Sequence, residues 1–315
     1  MNILSTLRPF VVAEESVAGQ GEDAYTVGVR DDGICYLGVF DGCGGLGSRR
    51  YPLCQNHTGA WVASKMAACV TETFLCSGSF QLIEESFRQL EEKISTEFQR
   101  VRQKCAQETG VQVGGSLSRS FPTTISLIVV ESKESDRFLC EFLWAGDSRG
   151  FLLDQDGLCQ ITLDDINSNA DDAFWNLRED GRLTNVVNGD VPFTLHNRRI
   201  EVDDPVMLIA ATDGGFNYFP TPMDFEYLLL DTLISTDTPD LWMKQICGRL
   251  KKVAGDDYTI AIACFGFSDY SELKRYYYDR WKILRQTYID AEQGASEEQL
   301  QKLWMDYKSS YYRWS

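Results

Sequence analysis

Residues 35–45 read Cys35-Tyr36-Leu37-Gly38-Val39-Phe40-Asp41-Gly42-Cys43-Gly44-Gly45. A largely apolar run ends in an aspartate and then in glycines. An Asp-Gly step is most often a turn between two strands. Asp32-Gly33 and Asp156-Gly157 fit that use, with strand-like runs on both sides. Asp41-Gly42 does not, because no return strand follows it. Asp213-Gly214, after the apolar run 205–212 (PVMLIAAT), is of the same kind. Each step places a carboxylate at the end of a buried strand, where an unpaired charge is costly. A cation is one way to offset it.

Working outward, 24–30 and 34–40 predict two strands joined at Asp31-Asp32-Gly33. Residues 58–76 predict a helix. Residues 80–108 predict a second one, with Ile83, Phe87, Leu90, Ile94, Phe98, Val101 and Cys105 at three- and four-residue spacing. Strand-like runs return at 125–130, 137–146, 150–154 and 158–163, and again at 205–212 and 258–266. The last two are separated by a mostly helical stretch, 224–253. Residues 164–200 read as polar and irregular. Strands in blocks and helices in blocks predict an α+β fold, with antiparallel sheets covered by helices. A boundary is expected at 267. In 268–315, Leu273, Tyr277, Trp281, Leu284 and Tyr288 share one helical face, and Leu300, Trp304, Tyr307, Tyr311 and Trp314 another. Gly294 separates the two faces, and Ser296 with Gln299 reads as a capping box. This predicts an appended helical hairpin, which either packs on the main domain or offers a surface for self-association or a partner.

The chain has 315 residues, with 30 Lys and Arg against 47 Asp and Glu, a net charge of −17. The charges of 268–315 cancel, so the whole excess belongs to 1–267. Such an acidic surface repels a nucleic-acid backbone. The ten cysteines contain no Cys-x-x-Cys pair, and with two histidines they do not suit a zinc site. The first residues are too short and polar a run for a secretory signal, and no apolar run approaches the ~20 residues of a membrane span. A cytoplasmic, reducing location is expected.

Three further acidic positions flank strand-like runs: Glu22-Asp23, Asp147 and Asp256-Asp257. Carboxylates converging from strand ends, without histidine or thiolate partners, suit a hard divalent ion such as Mg²⁺ or Mn²⁺. The surrounding residues go further. Gly21-Glu22-Asp23-Ala24, Val39-Phe40-Asp41-Gly42-Cys43-Gly44-Gly45, Phe121-Pro122-Thr123-Thr124, Ala145-Gly146-Asp147-Ser148-Arg149-Gly150, Ala211-Thr212-Asp213-Gly214 and Gly255-Asp256-Asp257-Tyr258-Thr259 occur in that order. Over residues 15–266 this pattern resembles the metal-dependent protein phosphatases of type 2C, the PPM family, in a bacterial-like form.

The resemblance implies a four-layer α-β-β-α sandwich, to which the hairpin would be added. It implies hydrolysis of phosphoserine and phosphothreonine in proteins by a hydroxide bridging two Mn²⁺ or Mg²⁺ ions. Asp41 would bridge the ions, with Glu22 and the Gly42 carbonyl on one and Asp213 and Asp256 on the other. Asp23 would orient a metal-bound water, Asp147 would help hold a weaker third ion, and Arg149 would pair within the sheet. The chain departs from the family at four places. Cys43 stands where many relatives have a histidine that protonates the leaving alkoxide. Ala18 stands where many have a phosphate-binding arginine, for which Arg49 and Arg50 are the nearby substitutes. Asp257 replaces an asparagine, and Asn217 an acid. These departures keep a second reading open, a weak or inactive pseudophosphatase acting as a binding module. Gly42-Cys43-Gly44-Gly45-Leu46-Gly47 formally matches a dinucleotide-binding GxGxxG. That reading fails because no acid follows between Asp41 and Glu72, and Asp41 would sit beside the pyrophosphate.

Overall fold

The computed structural model describes residues 8–109, 119–134, 137–167, 172–178, 181–203 and 205–314. The strands of the two main sheets are β1 (Phe10–Glu14), β2 (Ala24–Val29), β3 (Cys35–Phe40), β4 (Ile125–Glu134), β5 (Arg137–Ala145), β6 (Arg149–Asp154), β7 (Gly157–Gln160), β8 (His196–Asp203), β9 (Val206–Ala211) and β10 (Tyr258–Phe265). The principal helices are α1 (Gly59–Leu75), α2 (Glu84–Thr109), α3 (Pro222–Ile234), α4 (Pro239–Leu250), α5 (Tyr270–Leu284) and α6 (Glu297–Tyr311). One sheet runs β1-β10-β9-β6-β7 and the other β8-β5-β4-β3-β2, with every pairing antiparallel.

Strand periodicity sets the layers. In β3, Tyr36 and Phe40 enter a core against α1 and α2, while Cys35, Leu37 and Val39 enter the space between the sheets. In β10, Ile260, Ile262 and Cys264 face a third core while Ala261, Ala263 and Phe265 face the inter-sheet space. Alternate residues of a strand point to opposite faces, so a strand covered on both sides reads as one continuous apolar run. That explains why β3, β9 and β10 were visible in the sequence. The result is the expected four-layer α-β-β-α sandwich with α5 and α6 added.

Two strands were not expected. β8 begins inside the stretch read as irregular and runs three residues past it, and β1 precedes the first predicted strand. Both are edge strands. β8 buries only Ile200 and Val202 among its polar residues, so it lacks the run that marks a central strand. The stretch 224–253 is two helices. Thr238 caps α4 and Pro239 opens it, after α3 has ended at Ile234.

The helices of 268–315 share the outer core of the first sheet with α3 and α4. Leu273, Tyr277, Leu284, Trp304, Tyr307 and Tyr311 are buried there. The Ser296–Gln299 capping box is formed at the start of α6. All ten cysteines are free thiols. Among the described residues, no helix is long and apolar enough to cross a membrane.

The register places the motifs together. Ala24 pairs with Phe40, Ile125 with Ala145, Arg149 with Ala211, and Ala211 with Ile260. Residues 22–23, 41–42, 147, 213 and 256–257 therefore all leave the sheets at one end.

Candidate active site

Two glycines let the loops of the two sheets meet. A Cβ on Gly42 would stand 2.7 Å from the carbonyl oxygens of Ala60 and Glu22, and one on Gly214 would collide with the Asp257 carbonyl. The Thr123-Thr124 step holds the bend after β3. Thr123 Oγ1 donates to the Asp41 carbonyl at 2.7 Å, Thr124 N donates to the same oxygen at 2.8 Å, and Asp41 N donates to Thr124 Oγ1 at 3.2 Å. Glu22 is fixed from several directions. Its N–H donates to Asp257 Oδ2 at 2.6 Å, Ser64 donates to its carbonyl, and Thr58 donates to its carboxylate.

Glu22, Asp41, Gly42, Asp147, Asp213 and Asp256, the residues assigned to metal by resemblance, line one pocket of about 480 Å³. Asp257 joins them. Arg182 is the one basic residue among its described lining residues, and it pairs with none of the described acids there. Asp23 is not on this wall. It lines a neighbouring pocket of about 730 Å³ together with Ala18 and Lys65. Its carboxylate accepts from Thr212 Oγ1 at 2.8 Å, and Lys65 Nζ donates to its backbone carbonyl. Arg49 and Arg50 do not reach the acid pocket. Arg49 lies 5.3 Å over the Tyr51 ring, and Arg50 donates to the Asn56 carbonyl at 3.0 Å.

The acids raise one another's pKa. Burial pushes the Asp41 carboxyl well up, and Asp213, Asp23, Asp147 and Asp256 add repulsion. Asp147 is pushed up to about 8 by burial, then by Asp213 and Asp164. Asp23 is pushed up to about 7 by burial, against the hydrogen bond from Thr212. Burial also raises Asp213, whose side chain meets that of Asp41 in a hydrogen bond. Two carboxyl groups that close share a proton or a cation. Burial followed by the Asp41 charge raises the Cys43 thiol well above its usual range, so it remains a thiol.

The donor set fits a hard divalent ion: it is all oxygen, all acidic, and has no lysine or arginine paired into it. As the side chains stand, no group of three or more His, Cys, Asp or Glu among the described residues is gathered into a ligand shell. Arg149 lies outside the set. It is buried and pairs with Asp164 at 2.6 Å, and its guanidinium sits 4.3 Å over the Phe216 ring. A second pocket of about 310 Å³ shares Asp147 and Asp213 with the first and continues along Asn176, Leu177, Arg178 and Asn217.

Sequence reasoning missed the residues that hold the acids. Asp257 is read from the sequence as half of an acidic pair and as a departure from the family pattern, with no holding role, yet it anchors the backbone of both Ser16 and Glu22. Its place beside Asp256 was the available signal. Thr58, Ser64, Lys65 and Thr212 gave none, because their partners lie far along the chain. Arg182 sits in a two-residue strand, Arg182–Leu183, paired with Ile166–Asn167, in the stretch read as irregular.

No family model matches the chain, and no curated protein does. Solved structures do match. The serine/threonine phosphatase Stp1 from Staphylococcus aureus is similar at a TM-score of 0.60 and 16% identity, covering 85% of this chain and 98% of that one. PppA of Pseudomonas aeruginosa is similar at 0.56 and 20% identity, covering 82% and 97%. The serine/threonine phosphatase PstP/Ppp of Mycobacterium tuberculosis is similar at 0.54 and 16% identity, covering 82% and 99%. The fold of this chain is that of the bacterial PPM-type serine/threonine phosphatases.

Proposed function

We propose that this chain hydrolyses phosphoserine and phosphothreonine monoesters in proteins, with Mn²⁺ or Mg²⁺ as cofactor. The observation that carries the proposal is the acid pocket: six carboxylate residues from both sheets on one wall, with a single arginine facing them. Two ions would be held by Glu22, Asp41, the Gly42 carbonyl, Asp213 and Asp256, and a looser third by Asp147. Bound there, divalent cations supply the positive charge that acidifies a water and neutralises the phosphoryl oxygens.

The chain's own groups divide the remaining work. Asp41 sits at the centre of the repulsion and gains most from a cation. Asp23, held by Thr212, acts from behind Glu22 to orient the ligands in front of it. Arg182 meets the substrate phosphate, taking the part for which residue 18 has no charge. Cys43 holds its proton too tightly to serve as a general acid, so the leaving alkoxide draws its proton from water. Residues 1–267 carry this chemistry in the proposal, and 268–315 form the added hairpin.

The absence of a closed ligand shell favours one second reading, a binding module on the same fold that has lost catalysis. Hydrolysis of a phosphothreonine peptide or an aryl phosphate at saturating Mn²⁺ decides between them. Turnover above an Asp41→Ala control is expected. Turnover equal to that control would leave the binding module standing.

A further inference from the structure

The short segment after the pocket wall is tied to the C-terminal helix and to little else. Ala173–Asn176 is a single helical turn capped by Asp172. Lys308 of α6 donates to the Asp172 carboxylate. The Ala173 N–H donates to Tyr312 Oη, just beyond α6, at 2.7 Å. Phe174 is fully buried and stacks on Trp304 of α6 with centroids 6.2 Å apart. Arg178 donates to Glu297, the first residue of α6, at 2.6 Å. On its other side the segment meets the acids. Asn176 donates to Asp164 at 3.0 Å, and Asn176, Leu177 and Arg178 line the pocket that shares Asp147 and Asp213.

A turn of four residues cannot hold its own shape in water, because the cost of nucleating a helix exceeds what one turn returns. Its shape must come from what it packs on, and among the described residues that is chiefly α6. We infer that α6 is a positioning element for substrate recognition, with Lys308 and Tyr312 holding the wall formed by 172–178 beside the acid pocket. The inference rests on the phosphatase reading. The residues act through the wall, which a phosphopeptide would touch on either side of its phosphoryl group and a small aryl phosphate would not.

The test is the full-length Lys308→Met/Tyr312→Phe variant, which removes both polar ties and keeps the packing volume. Both residues are half-buried, so the core is spared. The KM for a phosphothreonine peptide is expected to rise about five- to tenfold, the size of losing one or two hydrogen bonds. Turnover of an aryl phosphate at saturating Mn²⁺ is expected to stay within about twofold. Lys308→Arg in place of Lys308→Met should restore part of the peptide affinity. Hydrogen exchange gives a readout independent of activity. Amides of 172–178 are expected to exchange faster in the variant while those of β9 and β10 do not change. Glu297→Ala, which removes the exposed tie to Arg178, serves if the double variant does not fold, with the same local change expected. Unchanged exchange in 172–178 overturns the inference, and so does an equal loss toward both substrates. If the wild-type chain hydrolyses neither substrate, the phosphatase reading falls, and exchange alone decides whether α6 holds the wall.

Discussion

Two buried clusters of charge in this molecule are built in opposite ways. Beneath the C-terminal hairpin, Glu226 is fully buried and accepts from Arg280 Nε at 2.6 Å and Nη2 at 2.8 Å, with Tyr307 as a third donor. Its charge is matched within the chain. Arg149 and Asp164 repeat the arrangement beside the acid pocket. In the acid pocket Glu22, Asp41, Asp147 and Asp213 face one another with no cation paired into the set, and each is raised in pKa by burial. The chain that matches Glu226 and Asp164 with arginine leaves these acids to mutual repulsion. On the proposed reading, the pocket is where positive charge arrives from outside. It also predicts opposite signs for the same kind of mutation.

The largest effect is expected on the matched side. Glu226→Ala leaves Arg280 buried without its partner, and breaking a buried pair this way costs about 3–5 kcal/mol. Urea unfolding of the variant measures it, and a loss under about 1 kcal/mol would erase the distinction between the clusters. Next is Arg182→Ala. Losing the one cation among the described residues of the acid wall should raise the KM for a phosphopeptide about tenfold, equal to ~1.4 kcal/mol, with kcat held within about threefold. A fall in kcat at constant KM would place Arg182 elsewhere in the reaction.

Smaller again, and of opposite sign, is Asp41→Asn in metal-free protein. It removes the carboxylate that repulsion and burial penalise most, so the melting temperature should rise by roughly 2–4 °C, about 1 kcal/mol. Saturating Mn²⁺ should then stabilise the wild type by about 2.7 kcal/mol at a hundredfold excess over Kd and leave the variant unmoved. A variant less stable than the wild type without metal would mean that Asp41 is already matched by a group of the chain.

How much of this was legible beforehand follows from where each residue gets its environment. β3, β9 and β10 announced themselves because both faces are covered, and Asp41 and Asp213 stood out because an apolar run cannot end in a carboxylate without consequence. Glu22 and Asp147 were recovered from the order of the motifs. Edge strand β8 was not readable, since half its residues are polar and exposed, and β1 is a short run of five residues that fully buries only one. Arg182 and the Glu226–Arg280–Tyr307 cluster were not readable either. The partners within that cluster lie across the fold, and a lone arginine such as Arg182 in a polar stretch resembles any surface arginine. The aromatic faces of 268–315 were plain from their helical spacing. What they pack against was not, because one helical face shows that something is covered without showing what covers it.

A third cluster tests whether a proton can take the place that arginine holds in one site and metal is proposed to hold in the other. Glu292, in the turn between α5 and α6, shares Thr221 with Asp224 at the start of α3. Thr221 Oγ1 lies 2.8 Å from Glu292 and 3.0 Å from Asp224. Burial, then repulsion from Asp224, pushes Glu292 up to about 8, against the Thr221 hydrogen bond and the Arg178 charge. Asp224 is raised as well, by burial. The sign follows directly. The folded carboxyl binds its proton more tightly than the unfolded one, so its contribution to stability is complete below its ordinary value of 4.5 and is lost as pH rises through about 8. The melting temperature of Mn²⁺-loaded protein should fall by about 2 °C more in the wild type than in Glu292→Gln between about pH 6 and about pH 9. Parallel pH profiles for the two would show that Thr221 and Arg178 already neutralise the pair, placing it with Glu226 and not with the acid pocket.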